Sequence, residues 1–191
     1  NQSVREGVAP KDEATRSSLK PRVRSAPSSE DTKKGSETKD CAMMTGRRID
    51  SEITLIPYYR NDEASLSWYQ DPDVCKQVDN REQPYDLVLL HRMYDYLCLR
   101  GACYYIEYKG KLVGDVSLRE NTEVAIVVCK EYQNRQIGRR CIRDMLKLAK
   151  EKGMDTVRAN IYAFNTQSQR MFQAVGFQKT GEEWYEYKVE G

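Results

Sequence analysis

Residues 124–164 constrain this chain more than any other stretch. VAIVV (Val124–Val128) is apolar and β-branched and reads as a strand. Ile137–Glu151 follows helical spacing, with apolar side chains at Ile137, Cys141, Met145, Leu146 and Leu148 and Gly153 behind them. TVRANIYAF (156–164) then reads as a second strand. Two strands joined through a helix are expected to lie parallel, with a right-handed crossover. The sheet of this chain should therefore be mixed.

The other element signals begin near residue 49. ITLIPYY (53–59) reads as a strand, DEASLSWYQ (62–70) as a helix stopped by Pro72, and DVCKQVD as a short helical turn. Pro84, at an N1-like position, opens a helix through YDLVLLHRMYDYLCLR, with Gly101 as its stop. ACYYIEY and KLVGDVSL form a hairpin that turns at Lys109-Gly110. After the strand–helix–strand unit, Asn165 caps a helix, TQSQRMFQAV, that stops at Gly176, and FQKTG and EEWYEYKV finish as strands. The expected fold class is α+β, with a mixed central sheet of about six to seven strands flanked by helices.

Residues 1–48 differ from the rest. The segment has no aromatic residue and few aliphatics, and is rich in Ser, Lys, Glu and Pro. Such a composition cannot offset the entropy of ordering, so a disordered polar tail or linker is expected. It holds 11 Lys/Arg and 7 Asp/Glu, leaving 20 basic and 22 acidic residues for 49–191. The overall charge of +2 therefore comes from the tail, and a nucleic-acid footprint on the folded part is not expected. Apolar runs of about five residues fall far short of the ~20 that a membrane span needs. No apolar signal-peptide core opens the chain, so a cytoplasmic location is expected. A homodimer, and a preceding domain joined through residues 1–48, are both compatible with the sequence.

Six cysteines without a CxxC pair, beside one histidine, His91, argue against a zinc site, so no metal is expected. The cysteines read as free thiols, mostly buried. His91 reads as structural or surface.

The turn between strand and helix, QNRQIGRRC, has one glycine and three arginines. A helix N-terminus there would present unpaired N–H groups and the positive end of a dipole, which favour an anion. Taken alone, the turn could be an ordinary solvated basic face. The later stretch YAFNTQSQRMFQAVGF could likewise be only a capped amphipathic helix.

Together, in this order, the two stretches resemble the GCN5-related N-acetyltransferases, the GNAT family. Gln133-Asn134-Arg135-Gln136-Ile137-Gly138 is similar to that family's acyl-CoA pyrophosphate loop, [QR]-x-x-G-x-[GA]. Asn165, Ser168, Phe172, Gly176 and Phe177 match its N-x-x-[SA]-x-x-x-[YF]-x-x-x-G-F pattern. The resemblance covers 49–191 and implies acetyl transfer from acetyl-CoA to an amine. It implies that the strand ending at Val128 splays from its neighbour and pairs, through Val127 and Val128, with the pantetheine arm. Gln133, Asn134, Arg135, Gln136, Ile137, Gly138 and Arg139 would hold the pyrophosphate, with Asn165, Ser168 and Phe172 toward the pantetheine and thiol. Two positions depart from the pattern. Gln136 replaces the first glycine, where a side chain would crowd the loop. Phe172 replaces a tyrosine that often protonates the leaving thiolate.

The resemblance also places Glu123, at the start of the strand, as the candidate base for the amine proton. A thiol of pKa ~8.5 can leave without an acid, and Tyr162 is an alternative donor. Asn160 stands where protein-acetylating members often carry a glutamate. Tyr58, Tyr59, Trp68, Tyr162 and Trp184 are candidates for binding the acceptor, a small-molecule or peptide amine, although such aromatics more often pack. Two other readings stay open: a catalytically silent acyl-CoA-binding module, and a nucleic-acid binder through QNRQIGRR.

Overall fold

The computed structural model describes residues 44–190. Five strands form one antiparallel sheet in the order β1-β2-β3-β4-β5: β1 Arg47–Arg48, β2 Ile53–Pro57, β3 Gly101–Tyr108, β4 Lys111–Arg119 and β5 Val124–Val128. A second, three-stranded sheet follows the order β6-β8-β7, from β6 Thr156–Asn160, β7 Gln178–Lys179 and β8 Trp184–Lys188. The helices are α1 Asp62–Ser65, continued by a 3-10 turn Leu66–Gln70, α2 Pro72–Asp79, α3 Leu87–Arg100, α4 Ile137–Glu151 and α5 Thr166–Val175. Among the described residues no helix is long and apolar enough to cross a membrane.

The strand–helix–strand unit forms as expected, but its two strands barely pair. β5 and β6 meet at one parallel bridge, Glu123 to Arg158, where the Arg158 N–H donates to Thr122 O at 2.9 Å. Beyond it they diverge, so the mixed character of the sheet rests on that bridge.

Helices cover both faces of the large sheet. The stripe Leu90, Met93, Tyr94 and Leu97 of α3 is buried, and Tyr94 donates to Asp115 on β4 at 2.9 Å. Asp115 lies opposite Val127, so α3 packs on the face to which Val127 points. Ile126 points the other way and lies beside Gly138, in the first turn of α4. The buried side of α4 runs through Ile137, Cys141, Met145 and Leu148.

Two boundaries differ from the sequence reading. Arg47 and Arg48, assigned to the tail, form β1 against Leu55 and Thr54. Arg47 also clasps α4, with Nε on Asp144 at 2.7 Å and Nη1 on Glu151 at 2.8 Å. Two arginines carry no strand periodicity, so long-range ion pairs fix this strand. The expectation for residues 1–43 of the tail lies outside the described residues. The third helix starts at Leu87 rather than at Pro84, because the Asp86 side chain accepts from the Leu89 N–H at 2.8 Å.

The β3–β4 pairing slips by one residue between Ile106 and Glu107, and Gly114 sits beside the slip, opposite Val128. A Cβ at Gly114 would lie 2.0 Å from Val127 O. Gly114→Ala is therefore expected to push β5 aside at a cost of about 1–3 kcal/mol, read as a lower midpoint in urea. A wild-type midpoint would show that β4 and β5 can separate freely here.

Candidate active site

The gap between β5 and β6 opens into a cavity of about 580 Å³. Its banks are main chain. Arg119 N–H bonds Glu123 O, and Cys129 N–H bonds Val113 O, so the odd-numbered residues of β5 face β4. The N–H and C=O groups of Val124, Ile126 and Val128 are therefore turned toward the gap. On β6 the same argument applies. Ile161 N–H bonds Glu183 O and Arg158 bonds Thr122, which leaves Asn160 facing the gap. A chain bearing amides could pair with these edges as a strand would.

The loop after β5 closes one end of the cavity. Asn134 (φ 63°) and Gln136 (φ 61°) are left-handed. Asn134 Oδ1 accepts from Gln167 Nε2 at 2.9 Å, which ties the loop to α5. The crowding expected from Gln136 is absent: its side chain is exposed, and its backbone adopts the conformation a glycine would take there. That conformation is costly for a side-chain-bearing residue. Gln136→Gly is expected to stabilise the protein by about 0.5–1 kcal/mol, read as a higher urea midpoint. A lower midpoint would show that the glutamine side chain contributes a contact.

Gln136 precedes α4 without a side-chain cap, and no acidic residue lies in the first turn. The Arg140 N–H is the first to find a carbonyl one turn back, on Gln136 O at 3.3 Å. The N–H groups of Ile137, Gly138 and Arg139 precede it at the cavity wall. Gly138 is not required by the fold. A Cβ there would meet only Met171 Cε at 3.5 Å and Ile126 Cδ1 at 3.8 Å, both ordinary contacts. The space left by this glycine suits a group brought close to the helix end, such as a phosphate.

Val127, Val128, Gln133, Asn134, Gln136, Ile137, Gly138, Arg139, Asn165, Ser168 and Phe172 all line this cavity. Arg135 does not; its guanidinium lies 5.0 Å from the Tyr132 ring centre. Arg140 is committed elsewhere, to Asp50 and Glu52 at 3.1 Å each, and clamps the loop onto the β1–β2 turn. Asn165 Oδ1 caps α5 by accepting from the Ser168 N–H at 3.2 Å, and the Phe172 ring packs edge-on against Phe177.

Glu123, expected as a strand-end carboxylate available to an acceptor, is buried in an ion pair with Arg119 and lies outside the cavity wall. Arg119 Nη1 also donates to the Tyr96 hydroxyl at 3.2 Å. The five acceptor aromatics do not converge. Tyr59 and Trp68 line a second cavity of about 610 Å³, together with Glu63, Asp71, Glu107 and Glu131. Tyr58 stacks on Tyr94 at 4.3 Å, within a tyrosine cluster. Tyr162 is buried beyond the end of β6, where burial first, then Asp79 and Glu183, push its phenol up. A proton held that tightly is poorly suited to a leaving thiolate. Trp184, on β8, lies under the Arg158 guanidinium.

His91 bonds Asp62 at 2.8 Å. Burial pushes the thiols of Cys75, Cys129 and Cys141 up, which keeps them protonated. Among the described residues no group of His, Cys, Asp and Glu could hold a metal. Sequence reasoning read residues 73–79 as a short helical turn, as α2 bears out, but missed that Val74, Gln77 and Val78 form a wall of the first cavity. Their i, i+3, i+4 spacing was legible, but the segment is too short to stand out.

The sequence model of the acetyltransferase (GNAT) family matches residues 65–177. That span runs from α1 to the end of α5 and contains the whole cavity. The chain belongs to the GNAT acetyltransferase family. Solved structures share the fold. A domain from Methanocaldococcus jannaschii is 25% identical, with a TM-score of 0.62, covering 73% of this chain and 100% of that one. Spermidine N-acetyltransferase from Vibrio cholerae, in complex with CoA and spermine, is 15% identical with a TM-score of 0.64, covering 73% and 97%. An acetyltransferase from Salmonella typhimurium that modifies the N-terminal serine of ribosomal protein L7/L12 is 11% identical with a TM-score of 0.61, covering 76% and 100%. Family membership makes this GNAT chain an acyltransferase by kinship, with its acceptor open.

Proposed function

We propose that this chain transfers the acetyl group of acetyl-CoA to a primary amine by direct attack. The observation that carries the reading is one cavity bounded by two diverging strand edges, an uncapped helix N-terminus and a glycine that the fold does not need. Acetyl-CoA would supply an activated thioester. Its diphosphate would meet the N–H groups of residues 137–139 and the Arg139 guanidinium. Its amide-bearing arm would pair with the edges of β5 and Asn160. The Val128 N–H, turned into the gap, would donate to the thioester oxygen as negative charge builds there, a contribution of ~3–4 kcal/mol. Val128 O already accepts from Gln133 Nε2 at 3.0 Å, so this residue would offer its N–H alone.

An attacking amine must be neutral and must lose a second proton after attack. Phe172 carries no acidic hydrogen, so the thiol would leave as thiolate. The acceptor is proposed to be cationic in solution, a small amine or a peptide N-terminus. The second cavity, where four carboxylates outnumber Lys111 and Lys130 beside Tyr59 and Trp68, supports that class.

A panel of spermidine, aminoglycosides, amino acids and peptides with free N-termini, mixed with acetyl-CoA and a thiol-detecting reagent, tests the proposal. Release of CoA above buffer with at least one amine is the expected result. If none releases CoA while acetyl-CoA raises the melting temperature, the chain is an acyl-CoA-binding module, a reading that Phe172 favours.

A further inference from the structure

The side chains of Gln133 and Gln77 meet over the cavity, and nothing in the reaction described so far uses that contact. Gln133 Nε2 donates to Val128 O at 3.0 Å and to Gln77 Oε1 at 3.1 Å. Both amide hydrogens are thereby spent. One holds the last carbonyl of β5, and the other holds α2. Gln77 shares a face of α2 with Val74 and Val78, and all three line the cavity.

α2 has eight residues, too few to be firm alone, since isolated helices shorter than ~12–15 residues are marginal in water. Its N-terminus is fixed by Asp71, which accepts from the Asp73 and Val74 N–H groups. The Cys75 thiol meets Tyr69 O at 2.8 Å, near that same end. Farther along, α2 reaches the loop through Gln77. A second tie, Asp73 to Lys130, joins side chains that are both more than half exposed and contributes little. The last residue of α2 is anchored as well, because the Tyr85 hydroxyl donates to the buried Asp79 carboxylate at 2.8 Å. Gln77 lies between these two anchors and ties α2 to Gln133, which begins the loop proposed to carry the diphosphate.

We infer that Gln133 and Gln77 form a latch that transmits occupancy of the diphosphate loop to α2. They are positioning residues, acting through the helix rather than on the reacting atoms. When the loop is filled, Gln133 is fixed, and the wall that Val74 and Val78 already form is held more firmly through Gln77. The chemistry sets the substitution pattern. Position 133 must supply two N–H bonds, whereas position 77 need only accept one. Glutamate therefore serves at 77 and fails at 133, where it would face two acceptors. The inference rests on the acetyl-CoA reading above.

Amide hydrogen exchange on the full chain tests it, with CoA itself as the probe and saturation checked by calorimetry. In the wild type, CoA should slow exchange across residues 74–79 about tenfold, within the usual range of coupling between sites. Gln77→Ala should lose that slowing at saturating CoA, as should Gln133→Glu. Gln77→Glu should keep it, which a general loosening of α2 would not explain. Calorimetric binding of CoA without slowing in the wild type, or equal slowing in Gln77→Ala, would overturn the latch alone. No CoA binding to the wild type would overturn the cofactor reading and the latch with it.

Discussion

Gly138→Trp is expected to weaken acetyl-CoA binding by about a hundredfold or more, equivalent to ~2.7 kcal/mol, in a calorimetric titration. The indole would occupy the space at the first turn of α4 where the N–H groups of residues 137–139 reach the cavity. Bulk alone could also disturb Met171 and Ile126, so the smaller substitution is the sharper test. At Gly138→Ala the added methyl meets those two side chains at ordinary distances of 3.5 and 3.8 Å. Inside a helix, alanine is the better residue by about 0.5–1 kcal/mol. Gly138→Ala should therefore raise the urea midpoint of the free protein while it weakens acetyl-CoA. Opposite signs in the two measurements are the mark of a glycine kept for a ligand. Unchanged affinity in both variants would sink the loop assignment.

The strand–helix–strand unit, its turn and the Asn165 cap were legible because each is a local pattern. Periodicity at residues 137–151 marks the helix, and Asn165 lies three residues before the N–H it accepts from. What the sequence hid is non-local. No residue in β5 or β6 announces that they pair only at Glu123 and Arg158, because the gap is made by hydrogen bonds that do not form. β1 is two arginines, and the carboxylates that hold Arg47 lie about a hundred residues away along the chain. The acceptor aromatics failed as a group for the same reason. Tyr59 and Trp68 share a cavity, yet Tyr162 and Trp184 belong to the other sheet side, and residue type alone could not separate them. Glu123 illustrates the limit best. Its position at the strand start was right, but its partner Arg119, four residues earlier across a turn, decides what it can do.

Glu123→Gln is expected to cost about 3 kcal/mol and to lower the melting temperature by roughly 6–12 °C. The substitution keeps the shape and removes one charge of a pair whose side chains are 3% and 5% exposed, leaving the Arg119 charge in the interior. The loss sits at the closed end of the gap. There the main chain of residues 122–123 holds Arg158, and the Glu123 N–H is fixed by Asn121 Oδ1 at 3.0 Å. A loosened bridge would change the depth of the splay, so a lower kcat in this variant would not by itself identify a base. The double variant Arg119→Met, Glu123→Leu separates the roles. Replacing both members of a buried pair with apolar side chains of similar volume is often near neutral, so most of the lost stability should return. With the best acceptor from the amine panel, its kcat should lie within about threefold of wild type if Glu123 serves the fold. Losing a proton-transfer group typically costs ~10²–10⁴ in rate. A folded double variant slowed by that much, with its acetyl-CoA affinity intact, would return Glu123 to the chemistry and require the ion pair to open during turnover.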